Sequence, residues 1–153
     1  VNNIFNQDFR ELIILLNSNE VEYLLVGGYA VILHGYIRTT GDLDLWLRRT
    51  EANYDKFLKA ARLFGLPTTA FTKDKFLYDD SIDVFSFGRS PSGLDIMLDL
   101  KGMEFEESYR RSSMYETDGI EVRLIHYQDL LAAKKAAGRP KDLVDIIYLQ
   151  EEE

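Results

Sequence analysis

The stretch Tyr23–Leu47, YLLVGGYAVILHGYIRTTGDLDLWL, leaves a chain few ways to fold. An apolar run ends in Gly27-Gly28, a short apolar segment follows, and Asp42-Leu43-Asp44 opens a second apolar run. This order reads as strand, tight turn, short helix, strand. Asp42 and Asp44 sit two apart on the second strand, so both carboxylates share one face. Leu43, Leu45 and Leu47 turn the other way, into a core. Roughly 6–7 Å separates the two acids at the backbone. If their tips converge to about 4 Å, repulsion costs on the order of 4 kcal/mol at an effective dielectric of 20. Water screens such a cost, or a cation removes it. Mg²⁺ suits such a site, because it takes one or two protein carboxylates and fills its shell with water and phosphate. On spacing alone, a solvated strand face is the commoner reason for Asp-x-Asp. The glycines narrow the reading, since a Gly pair between strand and helix lets backbone N–H groups approach a phosphate. A plain strand-to-helix turn also uses glycine.

Gly27-Gly28, a spacer of thirteen residues and Asp42-Leu43-Asp44-Leu45 resemble the signature of the DNA polymerase beta-like nucleotidyltransferase superfamily. The string VGGYAVILHGYIRTTGDLDL is similar to its small bacterial members, the minimal nucleotidyltransferases and the abortive-infection toxin–antitoxin type. So is the downstream string KKAAGRPKDLVDI, from Lys134 to Ile146. The resemblance implies metal-dependent transfer of a nucleoside monophosphate from a triphosphate to a hydroxyl of a protein, a tRNA or a small molecule. It implies that Asp42 and Asp44 hold Mg²⁺ (or Mn²⁺) with a third carboxylate on a neighbouring strand, in an apolar–Asp–apolar pattern. Asp95 and Asp99 both fit, and Asp95 is preferred for its distance ahead of Gly102 and the helix start at Glu104-Phe105-Glu106. Gly27, Gly28, Arg38 and Thr40 are expected beside the nucleotide. The alternative is a non-catalytic, antitoxin-like module that keeps the fold and binds a partner protein.

Arg38 has two readings: it binds a phosphate bidentately, or it neutralises Asp42 or Asp44. Lys134, Lys135, Arg139 and Lys141 form the densest basic cluster in a chain of net charge −8. Cations at a helix C-terminus are ordinary, and a clamp on a triphosphate or acceptor is the functional reading, with Lys134 and Lys141 as its candidates. Asp142 and Asp145 are expected to pair with basic neighbours. His34 reads as a packed or capping residue.

Elsewhere the periodicity predicts helices over 5–16, 51–64 (capped by Thr50 and stopped by Gly65), 105–111, 127–137 and 140–150. Strands are expected over 22–26, 82–87 and 94–100, the last two joined by a hairpin loop over 88–93, and in a hairpin about Asp118-Gly119. Residues 73–80 are ambiguous. The expected fold is α/β (α+β), a mixed twisted sheet of about five strands with helices packed on it. It forms one domain over 1–153 with a helical segment at 126–150. The irregular order of elements argues against a dinucleotide-binding fold. At 153 residues and 46% hydrophobic the chain can bury a real core. It has no cysteine and so no thiolate metal site. The acidic balance disfavours non-specific nucleic-acid binding. No run is long enough to span a membrane, and Val1-Asn2-Asn3-Ile4 lacks a signal-peptide start, so a cytoplasmic location is expected. Glu151–Glu153 reads as a frayed acidic tail.

Overall fold

A computed structural model describes residues 4–89 and 92–151. The tip of the expected 88–93 loop and the ends of the chain, with the expected tail beyond Glu151, lie outside the described residues. The first half runs α1 (Gln7–Ser18), β1 (Tyr23–Val26), α2 (Gly27–Leu33), β2 (Leu43–Leu47), α3 (Glu51–Phe64), α4 (Lys73–Tyr78). The second half runs β3 (Val84–Phe87), β4 (Leu94–Met97), α5 (Phe105–Arg111), β5 (Ser113–Thr117), β6 (Ile120–Leu124), α6 (Tyr127–Ala137) and α7 (Pro140–Glu151).

Six strands form one mixed sheet in the order β3-β4-β2-β1-β6-β5. The expectation of about five was short because both hairpins join this sheet, one at each edge. β1 and β2 are antiparallel, while β2–β4 and β1–β6 are parallel. The two buried strands are near-continuous apolar runs, as strands covered on both faces require. Leu24, Leu25, Leu43, Leu45 and Leu47 are fully buried, and Trp46, on the Asp44 face of β2, packs edge-on against Phe105.

Local signals set the boundaries. Thr50 accepts a hydrogen bond from Asn53 N, and Gly65 ends α3 in the left-handed region. The ambiguous segment is the short helix α4, capped by Thr72 and anchored by buried Phe76. Phe76 joins Tyr54, Phe57, Phe71 and Phe87 in an aromatic cluster between α3 and the sheet edge. α2 begins at Gly27, in the glycine pair itself, and stops at Leu33, where His34 caps it. A ring nitrogen of His34 lies 2.7 Å from the Ile125 carbonyl, a packed role for this histidine. β4 ends at Met97 instead of Leu100, level with Val84 where β3 begins, and one further bond, from Leu98 N to the Asp83 carbonyl, closes the hairpin. Among the described residues no helix is long and apolar enough to cross a membrane.

Candidate active site

The site forms where the C-terminal end of β1, with its glycine turn, meets the N-terminal starts of β2 and β4. β1 runs into Gly27, whose φ of +68° is natural to glycine. The antiparallel register sets Val26 against Asp44 and so brings the turn to the acidic strand. A Cβ on Gly27 would lie 2.0 Å from Asp44 Oδ2, and one on Gly28 would lie 2.1 Å from Thr40 Oγ1. The sequence reading gave these glycines to phosphate approach. Their immediate reason is contact with Asp44 and Thr40.

Register also brings Asp95 beside Asp44. β2 and β4 run parallel with Asp44 opposite Asp95, whereas Asp99 lies beyond the end of β4, exposed. Asp95 Oδ1 accepts from Ser86 Oγ at 2.7 Å, its partner across the β3–β4 hairpin. Asp42, just before β2, accepts from Gly93 N at 2.9 Å. All four acids line one cavity of about 1180 Å³. Ser86 was missed in the sequence, although counting back from a 88–93 loop sets it opposite Asp95.

Cations also line the cavity: Arg38 from the loop before β2, Lys101 after β4, Lys134 from α6, Arg139 from the turn between α6 and α7, and Lys141 from α7. Arg38 does not neutralise Asp42 or Asp44, as one sequence reading had it. Its Nε and Nη2 donate to the two oxygens of Asp145 at 2.8 and 3.0 Å. The physical reason is burial: Asp145 is 2% exposed, and a carboxylate so enclosed needs a charged partner. Lys134 is not an exposed helix-end cation. It is 7% exposed, with Nζ 3.2 Å from Asp142 Oδ1 and 2.9 Å from Asp145 Oδ2. Arg139 adds a hydrogen bond from Nε to Asp142 at 2.6 Å. Asp142 and Asp145 thus pair with basic neighbours, in a chain Arg38–Asp145–Lys134–Asp142–Arg139 that carries one net positive charge. Lys141 is exposed on the same cavity.

These charges set the proton affinities. Burial, then the negative charges of Asp95 and Asp42, push the Asp44 carboxyl up to about 7, against the pull of Lys134 and Lys141. Burial also raises Asp142 and Asp145, but hydrogen bonds from Arg139 and Lys134 to the first, and from Arg38 and Lys134 to the second, outweigh it. Both end below the ordinary carboxylate range. One side of the cavity therefore holds acids that repel one another, and the other holds acids saturated by cations.

Among the described residues no three acidic or imidazole groups stand close enough together to hold a metal ion as they are. Asp42 and Asp95 each give an oxygen to a protein donor. The chemistry of the donor set still fits a hard divalent cation: all-oxygen carboxylates, one with its ionised form disfavoured by its neighbours.

The fold has known counterparts. A lincosamide antibiotic adenylyltransferase, LnuA, solved with lincomycin bound, is similar at a TM-score of 0.62 and 16% identity, covering 97% of this chain and 98% of that one. A putative nucleotidyltransferase from Thermotoga maritima gives 0.60 and 13%, over 95% and 91%. ANT(2")-Ia in complex with adenylyl-2"-tobramycin gives 0.56 and 14%, over 92% and 84%. None of the curated proteins matches the sequence. Residues 4–150 match the family described as "Nucleotidyltransferase of unknown function (DUF6036)", and the chain belongs to that family.

Proposed function

We propose that the protein is a metal-dependent nucleotidyltransferase that moves a nucleoside monophosphate from a triphosphate to a hydroxyl acceptor. The observation that carries this is the placement of Asp44 opposite Asp95 and against Gly27, on a cavity that also exposes cations. Asp42, Asp44 and Asp95 would hold Mg²⁺ or Mn²⁺. When bound, the metal draws charge from the phosphates and acidifies the acceptor hydroxyl.

The chain's own residues do the rest. Gly27 and Gly28 present backbone without side chains where the phosphates pass. Lys141 faces the triphosphate, and Arg38, braced by Asp145, adds a fixed positive field with Thr40 beside it. Lys134 sits too deep in its ion pairs to reach out, and acts through the potential it sets on Asp44. Asp95, one oxygen held by Ser86, keeps the other for the metal, and the acceptor's proton passes to water as the acceptor oxygen bonds to the α-phosphorus and pyrophosphate departs. A volume of about 1180 Å³ is larger than one small ligand needs, which suits donor and acceptor held together.

The test is thermal unfolding with each ribonucleoside triphosphate, with and without Mg²⁺, on wild type and the D42N/D44N double variant. Ligand at a hundred times its Kd stabilises by about 2.7 kcal/mol, roughly 5–10 °C for a domain of this size. The rise should need both Mg²⁺ and one triphosphate and vanish in the double variant. A rise that persists in that variant would rule the site out.

A further inference from the structure

Helix α7 carries apolar side chains on its outer face as well as its inner one. Its acids Asp142 and Asp145 are buried, whereas Leu143, Val144, Ile147 and Tyr148 are 52, 46, 56 and 45% exposed. The inward face is filled by Asp142 and Asp145 with their cations and by buried Ile146 and Leu149, and these four apolar side chains are left outside. The loop before β2 widens the patch: Tyr36 stacks on Tyr148 with centroids 4.5 Å apart, Arg38 bonds Asp145, and Ile37 between them is 76% exposed. Positions 143, 144, 147 and 148 repeat at the i, i+1, i+4, i+5 spacing of a seam between two packed helices.

We infer that this face joins two copies of the chain, α7 packing antiparallel on α7 about a two-fold axis. Charge order along the helix selects a second copy as the occupant. Exposed Lys141 stands at its N-terminal end and exposed Glu151 at its C-terminal end. A two-fold axis level with the middle of the seam sets Val144 opposite Ile147, Leu143 opposite Tyr148, and each basic end beside the other copy's Glu151. The helix dipoles oppose in the same arrangement. The five apolar side chains of each copy, summed over both copies, offer on the order of 1,000 Å², the area at which specific pairing begins. Val144 and Tyr36 also line the cavity, so the second copy would stand at its rim. The inference needs no nucleotide or metal and stands apart from the proposed reaction.

Sedimentation equilibrium over micromolar to millimolar concentration tests it. The wild-type chain should reach the mass of a dimer. Ile147→Asp should be monomeric over that range with an unchanged circular dichroism spectrum and cooperative melt, since the side chain is exposed in one copy. Should that variant fail to fold, Leu143→Glu provides the same reading one turn away. Glu151→Lys should weaken the dimer several-fold, more at low salt than at high. A wild-type chain that stays monomeric throughout would overturn the inference and give the face to a partner of different sequence. A dimer unaffected by Ile147→Asp and Leu143→Glu would overturn it too.

Discussion

A methyl group on Gly27 would stand 2.0 Å from Oδ2 of Asp44. The glycine turn and the acidic strand are therefore one unit, in which the backbone of the first sets where the carboxylate of the second can lie. Gly27→Ala meets that clash and a φ of +68° together. We expect a loss of about 2–3 kcal/mol from the strained backbone and displaced side chain. Metal-dependent triphosphate binding should also weaken at least tenfold. Thermal melts and equilibrium titration of the variant check both.

Asp44 makes the protein less stable as pH rises. Its folded value near 7 lies above the unfolded one near 4. The native state therefore holds a proton that the unfolded chain has lost between these values, and stability falls across pH 4 to 7. Asp44→Asn should flatten that fall and melt higher than wild type at pH 8, by an amount on the order of 2–4 kcal/mol. Mg²⁺ should restore stability to wild type at pH 8 and leave Asp44→Asn unchanged. Removing it with a chelator should reverse the gain.

Asp95 and Asp99 separate by activity. Asp95→Asn should cut the transfer rate by about 10²–10⁴, while Asp99→Asn, beyond the strand end, stays within several-fold. Ser86→Ala should fall between them. Steady-state rates of labelled nucleotide transfer decide the order, and a larger loss at Asp99 would move the third carboxylate there.

Asp145 pulls the opposite way from Asp44. Asp145→Asn strands Arg38 and half-strands Lys134, a loss of about 3–5 kcal/mol for a broken buried pair. The folded values of Asp142 and Asp145 lie below the ordinary range. Their contribution is present above pH ~4 and disappears as pH falls through the folded values. Wild type should therefore lose stability steeply in acid and Asp145→Asn less so, measured by denaturant midpoints between pH 2 and 6.

Much of this was legible in the chain. Local chemistry placed α3 between Thr50 and Gly65 and the turn at Asp118-Gly119, because a cap or a positive φ acts within a few residues. Alternation put Asp42 and Asp44 on one face and Leu43, Leu45 and Leu47 on the other. What escaped depends on distant register. Trp46 lies on the acids' face yet is buried, because α5 covers that half of β2. Arg38 sits four residues before Asp42 but pairs with Asp145, since burial decides which carboxylate most needs a cation. The pairing of Asp142 and Asp145 with cations was legible, but not which apolar residues of α7 turn inward: Ile146 and Leu149 are buried, and Leu143, Val144 and Ile147 are not.

The parallel pairing of β2 with β4 has a consequence in time. No turn can join two parallel neighbours, so Asp44 and Asp95 meet only after the chain has passed through α3, α4 and β3 and returned. Contacts of such separation close late and slowly. A chain leaving the ribosome already carries its glycine turn and its acidic pair, but has no partner for Asp44 until β4 has emerged and docked. The complete acid cluster thus arises only in a chain whose central sheet is assembled, and unfinished copies never display it.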